Sequence, residues 1–190
     1  MALLLADIGG THARFSFFNK GKLTPVLSKD CDQFLSPYRL LDSIIKASTL
    51  KITGIFLAVA GPVQNGQVQW TNRPGWKLSE NEIKKRYHVN KVHLYNDVYA
   101  QAKGLKISPK KEILLMNVGT GFGSCFVKQG QVFPCEFGLV LGENNLKKES
   151  YLSASGIVRF YHELGGDKKI HSAKQIDELR LKKDKKAQKA

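Results

Sequence analysis

Two stretches of this chain carry one pattern. Leu3–Phe18, "LLLADIGGTHARFSFF", and Ile113–Lys128, "ILLMNVGTGFGSCFVK", each run from an apolar strand through a Gly/Thr turn into a second apolar strand. A strand-turn-strand unit repeated in both halves predicts two similarly built lobes facing a cleft. Glycine permits the positive φ angles that aim successive backbone N–H groups into one anion-binding nest. Gly9, Gly10 and Thr11 in the first turn, with Gly119, Thr120, Gly121 and Gly123 in the second, therefore read as a two-sided phosphate clamp. One Gly-Gly hairpin alone would carry little, because that connection is common. Neither turn is a GxxxxGK(S/T) phosphate loop, since no lysine follows the glycines and the next element is a strand. The same strand excludes the strand-to-helix context of a dinucleotide fingerprint.

Between and beyond these turns, short apolar runs alternate with helical patterns, which predicts an α/β layer structure. Ala2–Ala6 and Ala13–Phe18 read as the first two strands. "SPYRLLDSIIKAS" offers Ser36 as N-cap, Pro37 at the first helical position and one apolar face of Leu40, Leu41, Ile44 and Ile45. "ITGIFLAVAGP" is a continuous apolar run and reads as a central strand. "LSENEIKKRY" predicts a helix opened by a capping box of Ser79 with Glu82. "KVHLYND" reads as a strand running into the helical "VYAQAKGL". The polar link "KISPKKE" divides a small α/β domain, 1–107, from a second domain, 108–190. "DELRLKKDKKAQKA" is strong helix-forming sequence without a Gly or Pro stop, so the chain is expected to end in mid-helix.

Composition narrows the classes. At 190 residues with 42% hydrophobic content, the chain has material for a real core. No apolar run reaches the roughly 18 residues that span a bilayer. "ALLLA" is too short for a signal peptide's apolar region and runs into Asp7, so a cytoplasmic location is expected. The three cysteines, Cys31, Cys125 and Cys135, show no CxxC spacing and fit reduced thiols. The formal charge of +14 is large, yet only Asp167–Ala190 concentrates it, with nine Lys or Arg against four Asp or Glu. No basic stripe interleaved with aromatics is present, which argues against nucleic acid as a partner.

One more position bears chemistry. Asp97 follows Asn96 at the C-terminal end of a strand, the edge where open α/β sheets place ligands. It reads either as a cap of the next helix or as a general base taking a proton from a substrate hydroxyl.

"DIGGTHARF", "AGPV", "TNRPGW", "YNDVYAQA", "VGTGFGS" and "LSASG", in this order, resemble the bacterial ATP-dependent glucokinase family of the hexokinase, actin and heat-shock chaperone superfamily. The resemblance runs from near Leu3 to about Leu164. It implies an actin-like ATPase (ribonuclease H-like) two-lobed fold whose second lobe is incomplete. It implies transfer of the ATP γ-phosphate to the 6-hydroxyl of glucose, with ATP and Mg²⁺ as cofactors. Asp7 is then the carboxylate that helps position Mg²⁺, and Gly9, Gly10, Thr11, Gly119, Thr120 and Gly121 surround the ATP phosphates. Asp97 is the base, Asn96 a sugar ligand, and Glu136 and Glu149 the sugar-binding glutamates.

The sequence departs from that family in three places. Phe137 and Leu139 in "CEFGL" stand where the family has glycine and histidine, and Leu139 cannot hydrogen-bond a sugar. The stretch between Glu136 and Glu149 is shorter than the family's, so the two glutamates need not converge. The family's adenine-binding segment has no counterpart here, which leaves apolar faces of the second lobe exposed. Three readings follow. The first is a glucokinase, completed by a homodimer partner or by a complementing C-terminal polypeptide. The second is a truncated, non-catalytic sugar- and phosphate-binding remnant. The third, a nucleic-acid-binding protein, would need a helix-turn-helix for which the N-terminus leaves no room.

Overall fold

The computed structural model describes residues 1–70, 73–105, 108, 110–119, 121–135, 137–142 and 145–190. They form two compact units, Met1–Gln101 and Ala102–Ala190.

In the first unit, β1 (Ala2–Ile8) turns at the glycines into β2 (His12–Asn19), which also pairs with β3 (Lys22–Leu23) and β4 (Leu27–Asp30). Helix α1 (Pro37–Ile45) follows, with the Ser36 hydroxyl accepting from the Arg39 N–H as its cap. Next come β5 (Ile52–Val59), the short strands β6 (Val63–Gln64), β7 (Gln67–Gln69) and β8 (Lys77–Ser79), helix α2 (Glu80–Tyr87), β9 (Lys91–Asn96) and the start of helix α3 (Asp97–Gly104), within which the division between the units falls. The main sheet runs β3-β2-β1-β5-β9, and β6-β7-β8 form a separate antiparallel sheet. β1 and β2 are antiparallel, whereas β1, β5 and β9 are parallel.

Register explains the core. Leu4 lies beside Ile55 and Ile55 beside Val92; one row on, Ala6, Leu57 and Leu94 align, and then Ile8, Val59 and Asn96. Period-2 alternation puts these rows on one face, where Leu40, Leu41 and Ile44 of α1 and Ile83 of α2 cover them. The opposite face carries Asp7, Ala58 and Tyr95 in register.

The expected capping box at α2 does not form: Ser79 makes no side-chain cap. The Tyr38 hydroxyl stands in its place, accepting from the Ser79 N–H at 3.2 Å and donating to the Glu82 carboxylate. The N3 glutamate thus reaches the N-cap backbone through a phenol from α1. Burial first, then the Glu82 hydrogen bond, pushes the Tyr38 pKa up to about 12, so the phenol stays protonated and able to donate.

The second unit opens with β10 (Ile113–Val118), β11 (Phe122–Lys128) and β12 (Gln131–Cys135), an antiparallel meander. Among the described residues a 3-10 turn, Phe137–Leu139, and the α-helices α4 (Glu149–Leu152), α5 (Ala154–Glu163) and α6 (Ala173–Leu181) follow. Leu114, Met116 and Val118 stand exposed on one face of β10, the apolar exposure expected for this lobe. The chain does not end in mid-helix, as its composition suggested. α6 closes at Leu181: Lys183 adopts the left-handed region at φ 66, its N–H donates to the Arg180 carbonyl, and the Asp184 N–H donates to the Leu179 carbonyl. That is a Schellman closure with lysine in glycine's usual position. The segment after it turns back, burying Ala187 against Tyr161 and Ile176.

Candidate functional site

Three parallel strands of the first unit finish at one edge, with Ile8, Val59 and Asn96 in register. The residues that follow each strand therefore share that edge: Gly9–Thr11 after β1, Ala60 and Gly61 after β5, and Asp97 after β9. This is the C-terminal end of the parallel strands, where α/β sheets hold ligands.

The Asn96 side chain is engaged at both ends. Its Oδ1 accepts from the Tyr99 N–H at 3.1 Å, which caps α3, and its Nδ2 donates to the Gly61 carbonyl at 3.2 Å. Asn96 thus serves the third N–H of the helix, and Asp97 is its first residue. Asp97 heads the helix with Oδ1 accepting from the Val98 N–H at 2.9 Å, and it is partly exposed. An amide bonded at both ends still keeps a second N–H and a second lone pair for a ligand.

The first glycine turn is held from behind. Its three carbonyls all accept from neighbouring donors: Gly9 from the Cys31 thiol at 3.7 Å, Gly10 from the Arg73 Nε, and Thr11 from the Cys31 N–H at 2.8 Å. Burial pushes the Cys31 thiol up against the opposing influence of Arg73, so it remains a protonated donor. The Gly9 N–H closes the turn on the His12 carbonyl at 3.0 Å, which removes it from the outward-facing donors of the nest. Glycine's role here also differs from expectation. Gly9, Gly119 and Gly121 do not adopt left-handed φ. Gly9 is instead a close approach, since an added Cβ would lie 3.2 Å from the His12 carbonyl oxygen.

Asp7, the penultimate residue of β1, lies on the sheet face opposite the core, with Arg14 Nη1 3.3 Å from its Oδ2 across the hairpin. Among the described residues no three His, Cys, Asp or Glu side chains gather to hold a metal ion. Mg²⁺ needs no such cage, because one or two carboxylates with phosphate oxygens and water suffice. Half-exposed Asp7 fits that limited role on the chemistry of its donor.

In the second unit, the Gly119 N–H donates to the Gly121 carbonyl at 2.9 Å, and the Gly119 carbonyl accepts from the Ala154 N–H of α5 at 2.9 Å. Glu149, the first residue of α4, places its carboxylate beside this loop: a Cβ at Gly121 would lie 3.7 Å from Oε2. Thr120 and Glu136 lie outside the described residues. Two neighbours of Glu136 are placed, however. Buried Ser124 donates to the Cys135 carbonyl at 2.6 Å and accepts from the Phe137 N–H at 3.0 Å. The short stretch that follows folds back through a Leu141–Lys147 bridge. Gly138 consequently lies against Glu149 and leaves no room for a side chain, an added Cβ falling 2.5 Å from the Phe122 carbonyl oxygen. Phe137 and Leu139 are exposed, with Lys148 Nζ 4.2 Å above the Phe137 ring.

Three of these residues escaped the sequence reading. Arg73 sits in "TNRPGW", a motif noted without a role for any member. Ser124 is a polar residue at a buried position of an apolar strand. Cys31 gave no signal beyond fitting a reduced thiol.

The glucokinase family model matches residues 4–141. The glucokinase of a Caulobacter species is 29% identical over 140 residues, covering 64% of this chain and 42% of that protein. The glucokinase of Colwellia psychrerythraea is 28% identical over 182 residues, covering 94% of this chain and 51% of that protein. The chain thus spans about half the length of the curated relatives it matches. A crystal structure of a ROK family glucokinase from Streptomyces griseus, in complex with glucose and AMPPNP, superimposes with a TM-score of 0.71 at 17% identity, covering 98% of this chain and 73% of that one. That likeness gives the fold, the α/β actin-like ATPase architecture of sugar kinases. No helix among the described residues is long and apolar enough to cross a membrane. With the family model matched over most of its length, and its glycine loops and Asn-Asp pair placed as above, this chain belongs to the glucokinase family.

Proposed function

We propose that this chain carries the phosphate loops and sugar-binding residues of an ATP-dependent glucokinase, which transfers the γ-phosphate of ATP to the 6-hydroxyl of glucose. The observation that carries the reading is the shared strand edge of the first unit, where Asn96 and Asp97 follow β9 and Gly9–Thr11 follow β1. Asp97 takes the proton of the sugar hydroxyl as its oxygen attacks the γ-phosphorus; the bond to the bridging oxygen breaks and ADP leaves. A positioned base of this kind contributes roughly 10²–10⁴-fold in rate. Gly9, Gly10 and Thr11 form the first phosphate loop, and Gly119, Thr120 and Gly121 the second. Asn96, Glu136 and Glu149 bond the sugar hydroxyls. Asp7 is the residue that would hold Mg²⁺, which would supply charge neutralisation at the phosphates. The domains divide near residue 107, the small α/β domain holding the base and the first loop.

Exposed, apolar Leu139 at the family's histidine position favours a second reading, a sugar- and phosphate-binding remnant without turnover. One experiment separates the two. The purified chain is mixed with glucose, ATP and Mg²⁺ and followed by phosphorus NMR, with glucose affinity measured in parallel by calorimetry. Glucose 6-phosphate formation supports the kinase. Glucose binding without product supports the remnant, and absence of both overturns the proposal.

A further inference from the structure

Arg73 reaches the first glycine loop from 63 residues along the chain. Its Nε donates to the Gly10 carbonyl and its Nη2 to the Asp32 carboxylate, while its guanidinium carbon lies 4.8 Å from the centroid of the Trp76 ring. The side chain is only 19% exposed, so the fork is held by a carboxylate on one side and an aromatic face on the other. Asp32 is itself fixed in a short 3-10 turn, Cys31–Gln33, whose cap is Asp30 accepting from the Asp32 N–H at 2.9 Å.

A trans peptide points its carbonyl and the following N–H in opposite directions. A carbonyl tied towards the protein therefore turns the next N–H the other way. Cys31 ties the carbonyls on either side, at Gly9 and Thr11, but Arg73 holds the middle one with a charged donor. Charged hydrogen bonds are about twice as strong as neutral ones, which makes this the firmest of the three tethers.

We infer that Arg73 is a positioning residue for phosphate binding: by holding the Gly10 carbonyl, it fixes the orientation of the Gly10–Thr11 peptide in the loop that takes a polyphosphate chain. Asp32 and Trp76 keep the guanidinium in that pose. The role rests on the reading of Gly9–Thr11 as a phosphate loop. It gives Arg73 of the "TNRPGW" segment a role that acts through the Gly10 carbonyl.

The test uses the full chain and magnesium tripolyphosphate, which presents the phosphates without an adenosine. Binding is followed through the amide resonances of Gly10 and Thr11, beside calorimetric affinities for tripolyphosphate and for glucose. The unchanged chain should shift both amides. Arg73→Met should weaken tripolyphosphate roughly tenfold or more, the scale of one lost charged hydrogen bond, and leave glucose affinity in place. Arg73→Lys, which keeps one donor, should recover part of the loss, and Asp32→Asn should weaken binding by a smaller factor. These two milder variants decide the matter if Arg73→Met does not fold. Unchanged tripolyphosphate affinity in a folded Arg73 variant overturns the role of Arg73 alone. An equal loss of tripolyphosphate and glucose affinity also overturns it, as the mark of a general packing role. If the unchanged chain shows no shift at Gly10 or Thr11, the phosphate-loop reading falls and the role of Arg73 with it.

Discussion

The Glu149 carboxylate stands beside Gly121, with Oε2 3.7 Å from where a β-carbon on that glycine would lie. One short helix start thereby brings a candidate sugar-binding group to a candidate phosphate loop within a single unit. Glu149→Gln keeps the shape and removes the charge. Glucose affinity should fall by about tenfold, the cost of one hydrogen bond to a charged acceptor. Titration calorimetry reads it, and an unchanged affinity would take Glu149 out of the sugar site.

Gly138 and Gly119 make a paired test of why glycine is present. At Gly138 a β-carbon would meet the Phe122 carbonyl oxygen at 2.5 Å, whereas at Gly119 it would meet nothing within 4 Å among the described residues. Gly138→Ala should cost about 1–3 kcal/mol, the usual scale of overpacking. Gly119→Ala should stay within about 0.5 kcal/mol. Urea unfolding of both variants gives the comparison, and equal stabilities would refute the close-approach argument.

Asp42 links α1 to α2 through Arg86, whose Nε lies 3.0 Å and Nη2 2.5 Å from its oxygens, with the Tyr87 hydroxyl donating at 3.0 Å. The Arg86 hydrogen bonds hold the carboxyl below its ordinary range, against the opposing effect of burial. A carboxylate depressed in the folded state stabilises above its unfolded pKa, and that contribution is lost as pH falls through the folded value. Asp42→Asn should therefore be less stable at neutral pH, by several degrees in Tm. The gap to the parent chain should close progressively below about pH 4. Thermal unfolding across that range is the check, and a gap unchanged at acid pH would contradict the linkage.

Tyr38→Phe removes the hydroxyl between Ser79 and Glu82 and nothing else. It should cost about 1 kcal/mol in denaturant unfolding. A second change, Glu82→Gln, should cost less when combined with Tyr38→Phe than in the parent chain, because the two groups share one bridge. Additive losses would mean that the phenol does not connect them.

The parts of the fold legible in the sequence are those set by local periodicity. Short apolar runs announced the strands that the register then aligns in the rows Leu4–Ile55–Val92 and Ala6–Leu57–Leu94, and Ser36-Pro37 announced α1. The Asn96-Asp97 pair stood out because it ends an apolar strand. What stayed hidden depends on partners far along the chain. The capping box gives way to Tyr38, 41 residues from Ser79, and Arg73 meets Gly10 across 63 residues. α6 stops at a lysine in the left-handed region, where a Gly rule sees nothing. The use of the Gly9 N–H within its own turn is likewise a matter of geometry that composition does not carry.

The account turns on Asp97 as the base that deprotonates the sugar hydroxyl. The direct measurement is the rate of glucose 6-phosphate formation by the parent chain and by Asp97→Asn, under saturating ATP, Mg²⁺ and glucose. Asparagine keeps the size of the side chain and cannot take the proton, so the rate should drop at least about a hundredfold. Tripolyphosphate binding at the Gly9–Thr11 loop should be retained. Equal rates in the two chains would contradict the assignment.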